Sequence, residues 1–226
     1  MKIDPKIETE KIVLFLKKTF TKQKIANAVI GLSGGIDSAT SFYLLKNALP
    51  LEHIFPIHLS YFPPSKEENK LAVHHISIKD AVDTCVRSLG INPNDTIRIG
   101  NIMARTRMIY LFDLAKKKNA MVVGTENKSE HYLGYFTRFG DAASDIVPIQ
   151  HLYKTQVYSL AKYLGVAKEI IDQEPTANLW KGQTDEAEFG FTYKEADQVL
   201  HYYFDQKLTV EEIVKKGFKN AEKIIK

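Results

Sequence analysis

Cysteine is nearly absent from this 226-residue sequence, which contains a single one, Cys85. One cysteine excludes an internal disulfide bond and a zinc site built from several cysteines. It also weakens the case for thiol catalysis, because Cys85 falls in a helical pattern over residues 80–89, where we expect a half-buried structural thiol.

Long apolar runs are also missing. No stretch approaches the length that crosses a membrane, and residues 1–10 lack the apolar core of a signal peptide, so we expect a cytoplasmic protein. Charge of one sign is not in large excess either, since 31 Lys and Arg against 27 Asp and Glu leave a formal charge of +4. That balance suits a small polyanionic ligand and predicts no nucleic-acid partner, with residues 116–118 as the solvated last turn of a helix.

Apolar runs of strand length alternate with helical patterns, which is typical of a parallel sheet with helices on both faces. Strands are predicted at residues 26–32, 54–59, 73–78 and 121–124, and helices at 5–20, 37–48, 79–89, 101–117, 154–164, 194–204 and 210–218. No repeat or linker divides the sequence, so we expect one α/β domain over residues 1–226 with an open, Rossmann-like sheet. Residues 60–72 leave little room for a parallel crossover, which is either very small or incomplete in the sequence.

A segment rich in glycine and serine, GLSGGIDS at residues 31–38, joins the first predicted strand to the next helix. Glycine lets backbone N–H groups approach a polyphosphate, Ser33 and Ser38 add hydroxyl donors, and the helix start adds the positive end of its dipole. The segment lacks the Lys-Ser/Thr ending of kinase and GTPase loops. Asp37 stands there instead, and an acid that faces phosphates requires a cation between them, most simply Mg²⁺. The alternative is an ordinary turn in which Asp37 and Ser38 are favourable first-turn residues.

Further polar residues follow at positions where packing alone does not require them. Arg105 and Arg107 are two positions apart on a predicted helix, so one can reach a site while the other faces solvent, a helix partner or a second subunit. Glu130 follows a buried strand at the ligand-bearing edge and could share a cation with Asp37. The alternative is that Glu126 and Glu130 are solvated loop acids.

Two more segments extend this pattern. Residues 134–145, GYFTRFGDAASD, mix aromatic, basic and acidic side chains, which suits stacking on a heteroaromatic ring. Alternatively, Tyr135, Phe136 and Phe139 are core residues under a loop. Lys154 begins a predicted helix, where the dipole disfavours a cation unless an anion such as a triphosphate compensates it.

Together these segments closely resemble the ammonia-dependent NAD synthetases, a family of ATP pyrophosphatases with an adenine nucleotide alpha hydrolase-like fold. The motifs that carry the resemblance stand in the family's order: GLSGGIDS (31–38), GNIMARTRM (100–108), VVGTENKSE (122–130), GYFTRFGDAASD (134–145), YKTQVY (153–158) and EPTANL (174–179). The first motif is shared with other ATP pyrophosphatases, whereas the whole set is specific and spans roughly the whole chain.

The resemblance implies a site for each substrate. ATP would contact the loop residues Gly31, Leu32, Ser33, Gly34, Gly35, Ile36, Asp37 and Ser38, together with Thr125, Lys154 and Thr176. Deamido-NAD would contact Arg105, Arg138 and Asp145, and Arg138 replaces a lysine common in the family, which keeps the charge but alters the donor geometry. Asp37 and Glu130 would ligate Mg²⁺, and with Lys154 they would form the catalytic set.

The implied reaction is the last step of NAD biosynthesis. The carboxylate of deamido-NAD attacks the α-phosphorus of ATP, and ammonia then attacks the acyl adenylate, so that NAD, AMP and pyrophosphate are formed. The protein needs no nucleophile and contributes charge neutralisation and alignment. Ammonia rather than glutamine is expected, because neither the length nor Cys85 supplies a glutaminase. The resemblance also implies a homodimer, with deamido-NAD near the subunit boundary.

Two alternatives share part of the pattern. Another ATP pyrophosphatase, such as the amidating subunit of a GMP synthetase or a tRNA-modifying enzyme, would share residues 31–38 but not the segments at 105–107 and 138–145. A non-catalytic nucleotide-binding module would hold ATP without turnover, although Asp37 together with Glu130 argues against storage alone.

The family usually ends in a basic tail with a His-Lys pair; the sequence stops at Lys226 without one, so we expect that part of the site to be absent, disordered or trimmed. The acids at 184–186 have no assigned role.

Overall fold

The computed structural model describes residues 1–63, 73–180 and 182–226. Its described strands are β1 (Asn27–Gly31), β2 (Ile54–Ser60), β3 (His74–Ser77) and β4 (Ala120–Val123). They form one parallel sheet in the order β3-β2-β1-β4, with Ala28 of the central strand paired to Ile54 on one side and Met121 on the other. The predicted open parallel sheet is therefore confirmed, and each predicted strand lies within one residue of its observed ends.

The described helices begin and end as follows: α1 (Pro5–Gln23), α2 (Ile36–Ala48), α3 (Lys79–Ser88), α4 (Thr96–Lys118), α5 (Lys128–Leu133), α6 (Lys154–Leu164), α7 (Lys168–Ile171), α8 (Asp185–Phe189), α9 (Tyr193–Leu200), α10 (Val210–Lys215) and α11 (Ala221–Ile225). A 3₁₀ turn at Leu51–His53 and a π-helical turn at His201–Asp205 complete the helical structure of the described residues. The sequence did not predict α5, α7, α8 or α11, which are too short to show helical periodicity.

Helices cover both faces of the sheet, as the alternating pattern predicted. On one face α1, α2 and α6 share a core with β1 and β4, to which Leu16, Ile30 and Leu160 contribute fully buried side chains. On the other face α3 and α4 pack on β2, with Ile57 and Met103 buried between them. Because both faces are covered, β1 is apolar along its whole buried length.

A separate apolar cluster forms under the C-terminal helices. Val199 and Leu200 of α9 pack with Ile213 of α10 and Ile224 of α11, and Tyr153 joins this cluster to the start of α6. The helix predicted at 194–204 does not stay α-helical to its end, because α9 stops at Leu200 and the chain continues as the π-helical turn.

Two local predictions need correction. Helix α4 begins at Thr96, five residues before the predicted start, because Asp95 caps it by accepting the Arg98 N–H at 3.2 Å. Cys85 is exposed, so the expected half-burial is wrong; in α3 only Val82 is buried.

The short crossover falls partly on residues 64–72, outside the described residues. Among the described helices, none is both long and apolar enough to cross a membrane.

Candidate active site

The carboxyl ends of β1 and β4 lie side by side at a switch point of the sheet. The chain passes from β1 through α2 to β2 on one side, whereas β4 pairs with β1 on the other. Open parallel sheets bind ligands at such points. A cavity of about 560 Å³ lies there, a size typical of small-molecule sites, and residues 31–38, 122–125 and 173–179 line it.

Residues 31–38 form a tight turn between β1 and α2. Gly34 has φ 85°, a conformation that glycine adopts readily, and Gly35 is the N-cap of α2. Ser38 Oγ donates to the Gly35 carbonyl at 3.0 Å, so Ser33 Oγ donates to Ser38 Oγ at 3.1 Å. Both hydroxyl hydrogens are therefore used inside the turn. The first N–H groups of α2, rather than the serines, are the donors that this turn offers to an anion.

Asp37, Glu130 and Lys154 meet at the floor of the cavity. Lys154 is only 3% exposed, and its ammonium group donates to Asp37 Oδ2 and, at 3.3 Å, to Glu130 Oε1. Asp37 lies in the first turn of α2, Glu130 in α5, and Lys154 is the first residue of α6. Three helix starts thus bring together the residues predicted as the catalytic set.

Charge and burial compete at this cluster. Burial raises the pKa of the Glu130 carboxyl to about 8, although the charge of Lys154 opposes that shift. Burial alone would lower the pKa of Lys154, but attraction by Asp37 and Glu130 outweighs it, so the pKa is raised and the ammonium group stays charged. Lys154 is therefore the cation that offsets the charge of Asp37, and that of Glu130 where the Glu130 carboxyl is ionised.

The same two carboxylates fit a hard divalent cation, since oxygen is the ligand that Mg²⁺ prefers. Within residues 1–63, 73–180 and 182–226 no group of three or more His, Cys, Asp or Glu side chains is arranged to hold a metal. An ion held by Asp37 and Glu130 would therefore take its other oxygens from phosphates and water, which is how Mg²⁺ is usually bound.

Asn127 connects the two acids, although the sequence reasoning gave it no role. Its fully buried side chain donates from Nδ2 to Asp37 Oδ1 at 3.0 Å and accepts the Glu130 N–H on Oδ1 at 3.0 Å. The Glu130 carboxylate in turn accepts the Asn127 N–H at 3.2 Å, which completes a capping box at the start of α5. Asn followed three residues later by Glu was the available sequence signal.

Asp185 is a further acid of the cavity wall and is 3% exposed. Its Oδ2 accepts the Tyr193 hydroxyl at 2.9 Å, whereas Oδ1 has no hydrogen-bond partner in the part of the chain that the structure describes. Burial raises the pKa of Asp185, and Lys154 partly opposes the shift. Of the acids at 184–186, the structure therefore singles out Asp185, since Glu186 accepts the backbone N–H of Tyr193 instead.

Thr125 and Thr176 line the cavity from different segments, Thr125 just after β4 and Thr176 in the exposed segment before α8. Next to Thr125, the N–H of Gly124 donates to the carbonyl of Ile146 at 2.8 Å. A methyl group on Gly124 would lie 2.5 Å from Ser144 Oγ, so only glycine permits this close approach. The segment at 144–147 is thereby held against the end of β4.

The residues predicted to contact deamido-NAD lie outside this cavity. Arg105 is exposed on α4, and its Nε donates to the carbonyl of Arg138 at 3.2 Å. The Arg138 guanidinium stands 4.9 Å from the centre of the Phe139 ring. Phe139 is 64% exposed and Phe136 is 36% exposed, so neither ring is buried core. We call Arg105, Arg138 and Phe139 the outer face.

Asp145 and Arg107 each bind the backbone of a strand of the sheet. Asp145 Oδ2 accepts the N–H of Val122 in β4 at 2.7 Å, so the carboxylate is fixed to the sheet edge. Arg107 lines the cavity, and its Nε donates to the carbonyl of Leu59 at 3.0 Å. Of the two arginines singled out from the sequence, Arg107 therefore reaches the cavity while Arg105 belongs to the outer face.

The parallel sheet, the cavity at its switch point and the glycine-serine turn with its acidic pair define an α/β nucleotide-binding enzyme of the adenine nucleotide alpha hydrolase-like class. The chain belongs to the NAD synthase family, because the sequence profile described as NAD synthase matches residues 8–226. The predicted resemblance is thereby confirmed.

Curated relatives and solved structures agree with this family. The NH(3)-dependent NAD(+) synthetase of Fusobacterium nucleatum is 46% identical over 217 residues, which cover 92% of this chain and 83% of that protein. The NH(3)-dependent NAD(+) synthetase of Thermococcus kodakarensis is 41% identical over 230 residues, 98% of this chain and 90% of that protein.

Two solved structures share the fold closely. The NH3-dependent NAD synthetase from Campylobacter jejuni, in complex with the nitrate ion, has a TM-score of 0.77 at 31% identity and covers 95% of this chain and 88% of its own. The NMN synthetase from Francisella tularensis has a TM-score of 0.78 at 38% identity and covers 92% of this chain and 89% of its own.

Proposed function

We propose that this chain is a ligase that amidates deamido-NAD with ammonia at the expense of ATP, forming NAD, AMP and pyrophosphate. The observation that carries the proposal is the grouping of Asp37, Glu130 and Lys154 beside the phosphate-binding turn, in a chain of the NAD synthase family. Its curated relatives at 46% and 41% identity are named for the same ammonia-dependent reaction.

The reaction passes through an acyl adenylate. The carboxylate of deamido-NAD attacks the α-phosphorus of ATP and expels pyrophosphate; ammonia then attacks the activated acyl carbon and expels AMP. The substrate is its own nucleophile, so the protein aligns the reactants and stabilises the charge that moves onto pyrophosphate. The first N–H groups of α2 and the Lys154 ammonium group supply that stabilisation at the phosphate end.

Asp37 and Glu130 would hold Mg²⁺, which when bound supplies Lewis-acid neutralisation of the phosphate charge. ATP lies along residues 31–38, with Thr125 and Thr176 on the other walls of the cavity. Deamido-NAD reaches this cavity from the outer face, where Arg105 and Arg138 offer positive charge to its phosphates. Asp145 stands where the two regions meet and serves as an acceptor for a substrate hydroxyl.

The outer face also supports a homodimer. Ile109 lies one turn after Arg105 on α4 and is 61% exposed, and Phe139 beside Arg138 is 64% exposed. Apolar side chains of this size next to a charged substrate site are typical of an interface. Light scattering on the purified protein, with Ile109→Glu as the variant expected to give monomers, tests this part of the proposal.

We also assign residues 1–226 to one domain, because Tyr153 belongs to the C-terminal cluster and stands directly before Lys154 of the site. We place this domain in the cytoplasm, where its nucleotide substrates are available. Limited proteolysis and cell fractionation test these two assignments.

Turnover assays decide the substrate. The protein is incubated with ATP, Mg²⁺ and ammonium, and with either deamido-NAD or nicotinate mononucleotide, and NAD, NMN, AMP, ADP and pyrophosphate are measured. The second substrate is included because a structural relative is named NMN synthetase. We expect NAD and pyrophosphate in equal amounts from deamido-NAD. Formation of ADP, or amidation of the mononucleotide alone, would overturn the proposal.

A further inference from the structure

We infer that Asp197, in the C-terminal helix α9, is a positioning residue that fixes Lys154 and Glu130 relative to each other. Asp197 is 0% exposed and does not line the cavity, so it acts on the site only through other residues. The inference deepens the proposed function, on which its activity readout rests.

A single carboxylate holds two segments of the site. Asp197 Oδ1 accepts the hydroxyl of Ser129 at 2.5 Å, and Oδ2 accepts the N–H of Thr155 at 2.8 Å. Ser129 Oγ in turn accepts the N–H of Lys154 at 2.8 Å. Ser129 directly precedes Glu130 in the chain, and Thr155 directly follows Lys154. Asp197 therefore holds the side chain of the residue before Glu130 and the backbone of the residue after Lys154.

The start of α6 needs such an anion from elsewhere in the chain. A helix start has unpaired N–H groups and a positive dipole end, so a lysine at its first position is unfavourable by itself. The N-cap residue Tyr153 carries no short acceptor, and its hydroxyl donates to Asp205 at 3.0 Å. Asp197 supplies the missing acceptor and a negative charge, which allows Lys154 to occupy this position.

A positioning role and a role in fold stability alone make different predictions. The substitution Asp197→Asn distinguishes the two roles. It keeps the shape of the side chain but replaces one accepting oxygen by an amide donor, which then faces another donor. We expect kcat for NAD formation to fall about 10- to 100-fold, because a small misplacement of catalytic groups has effects of this size. The KM for ATP should change less than about threefold, since residues 31–38 keep their geometry.

Glu195→Gln is the matched control. Glu195 lies on the same helix, and its carboxylate accepts two hydrogen bonds from Asn220, at 3.1 and 3.0 Å, within the C-terminal cluster. The substitution makes the same chemical change on α9 away from the site, so kcat should stay within about twofold of wild type. Both variants are compared at a temperature where circular dichroism shows them folded.

Ser129→Ala keeps the inference testable if Asp197→Asn does not fold. It removes the hydroxyl that links Asp197 to the N–H of Lys154 but leaves the hydrogen bond between Asp197 and the N–H of Thr155 intact. Where all variants fold, the double variant that combines Ser129→Ala with Asp197→Asn should lose no more kcat than Asp197→Asn alone. Both substitutions interrupt the same chain of hydrogen bonds, so their effects should not add. An unchanged kcat in Asp197→Asn and Ser129→Ala, or an equal loss in Glu195→Gln, would overturn the inference.

A wild-type protein that fails to amidate deamido-NAD would refute the proposed function instead. In that case a crystal structure of Asp197→Asn tests the positioning role of Asp197. We expect the separation of Lys154 Nζ from Glu130 Oε1 to exceed its present 3.3 Å by at least about 0.5 Å, a displacement that matters for catalytic geometry. An unaltered distance between Lys154 Nζ and Glu130 Oε1 in that structure would overturn the inference.

Discussion

The inner corner formed by Asp37, Glu130 and Lys154 and the outer face formed by Arg105, Arg138 and Phe139 are built in opposite ways. At the inner corner every charged group is buried or nearly so and is paired with another charged side chain. On the outer face the arginines are exposed, and their contacts are a backbone carbonyl and an exposed ring.

This difference teaches that, under the proposed function, packing fixes the residues assigned to phosphate chemistry, whereas the residues assigned to the second substrate are long, exposed side chains. Buried and paired charges are costly to disturb, whereas exposed arginines gain little from any single contact. Substitutions at the inner corner should therefore affect turnover and folding strongly. Substitutions on the outer face should change substrate affinity moderately.

The largest effect is expected for Asp37→Ala. The change removes one of the two carboxylates beside the phosphates, and kcat for NAD formation should fall about a thousandfold, in line with the loss of a preorganised electrostatic group. Circular dichroism should show the fold intact. Asn47→Ala, at an exposed position near the end of α2, is the control and should keep full activity. Turnover close to wild type in Asp37→Ala would contradict the assignment of the inner corner.

Lys154→Met should destabilise the protein by about 3 kcal/mol at pH 7, because it leaves the partly buried side chains of Asp37 and Glu130, 15% and 17% exposed, without their cation. The pKa of Lys154 is raised in the folded protein, so its contribution is complete below the unfolded lysine value of about 10.4 and pH 7 lies within that window. Urea unfolding measures this loss.

The same variant tests the metal assignment. If Asp37 and Glu130 accept Mg²⁺, then millimolar Mg²⁺ should raise the melting temperature of Lys154→Met more than that of wild type, where the ammonium group competes for the same oxygens. Ca²⁺ and Na⁺ at equal ionic strength separate specific binding from screening. Equal shifts in both proteins would remove the support for a shared metal site.

On the outer face, Arg138→Ala should raise the KM for deamido-NAD about tenfold and leave the KM for ATP unchanged, because only the second substrate reaches this side chain. Arg138→Lys keeps the charge and should stay within about threefold of wild type. Steady-state kinetics with each substrate varied in turn give both numbers. A rise in the KM for ATP of the same size would show that the two regions are not separate.

The smallest effect is expected at Asp185, whose Oδ1 has no hydrogen-bond partner within the described ranges of the chain. Asp185→Asn should stabilise the protein by about 1 kcal/mol at pH 7, because a neutral amide is less costly to bury than a carboxylate. The pKa is raised, so the cost of burying the carboxylate grows as pH rises above the unfolded value and is complete above the folded value. The gain measured by thermal melts should therefore vanish toward pH 4, near the unfolded value. A gain that is independent of pH would argue against this explanation.

Much of the fold could be predicted from the sequence because its signals are local. The buried run of β1 and the long helices α1 and α6 each carry an apolar pattern that the sequence shows directly. The start of α4 was missed although Asp95 supplies a capping residue. Helices of four to six residues, such as α7 and α5, have no period to detect, and contacts with the rest of the chain decide them.

The residues of the site also fall into two groups, those that a local sequence pattern reveals and those that contacts with distant segments decide. Residues inside a motif, such as Asp37 and Lys154, could be named from the sequence, and the structure brings them together. Asn127 could be named only as the cap of α5, and Asp197 not at all, because their contacts with the site depend on partners 90 and 68 positions away along the chain. Such pairs arise only when helices from separate segments pack, and no local pattern encodes them.

Gly124 sets a limit on how this protein can change over evolutionary time. A side chain there would push Ser144 away from β4, and with it the neighbouring Asp145. Thr125, on the other side of the glycine, would shift as well. Under the roles proposed for Asp145 and Thr125, a substitution at Gly124 would therefore disturb the contacts of both substrates at once.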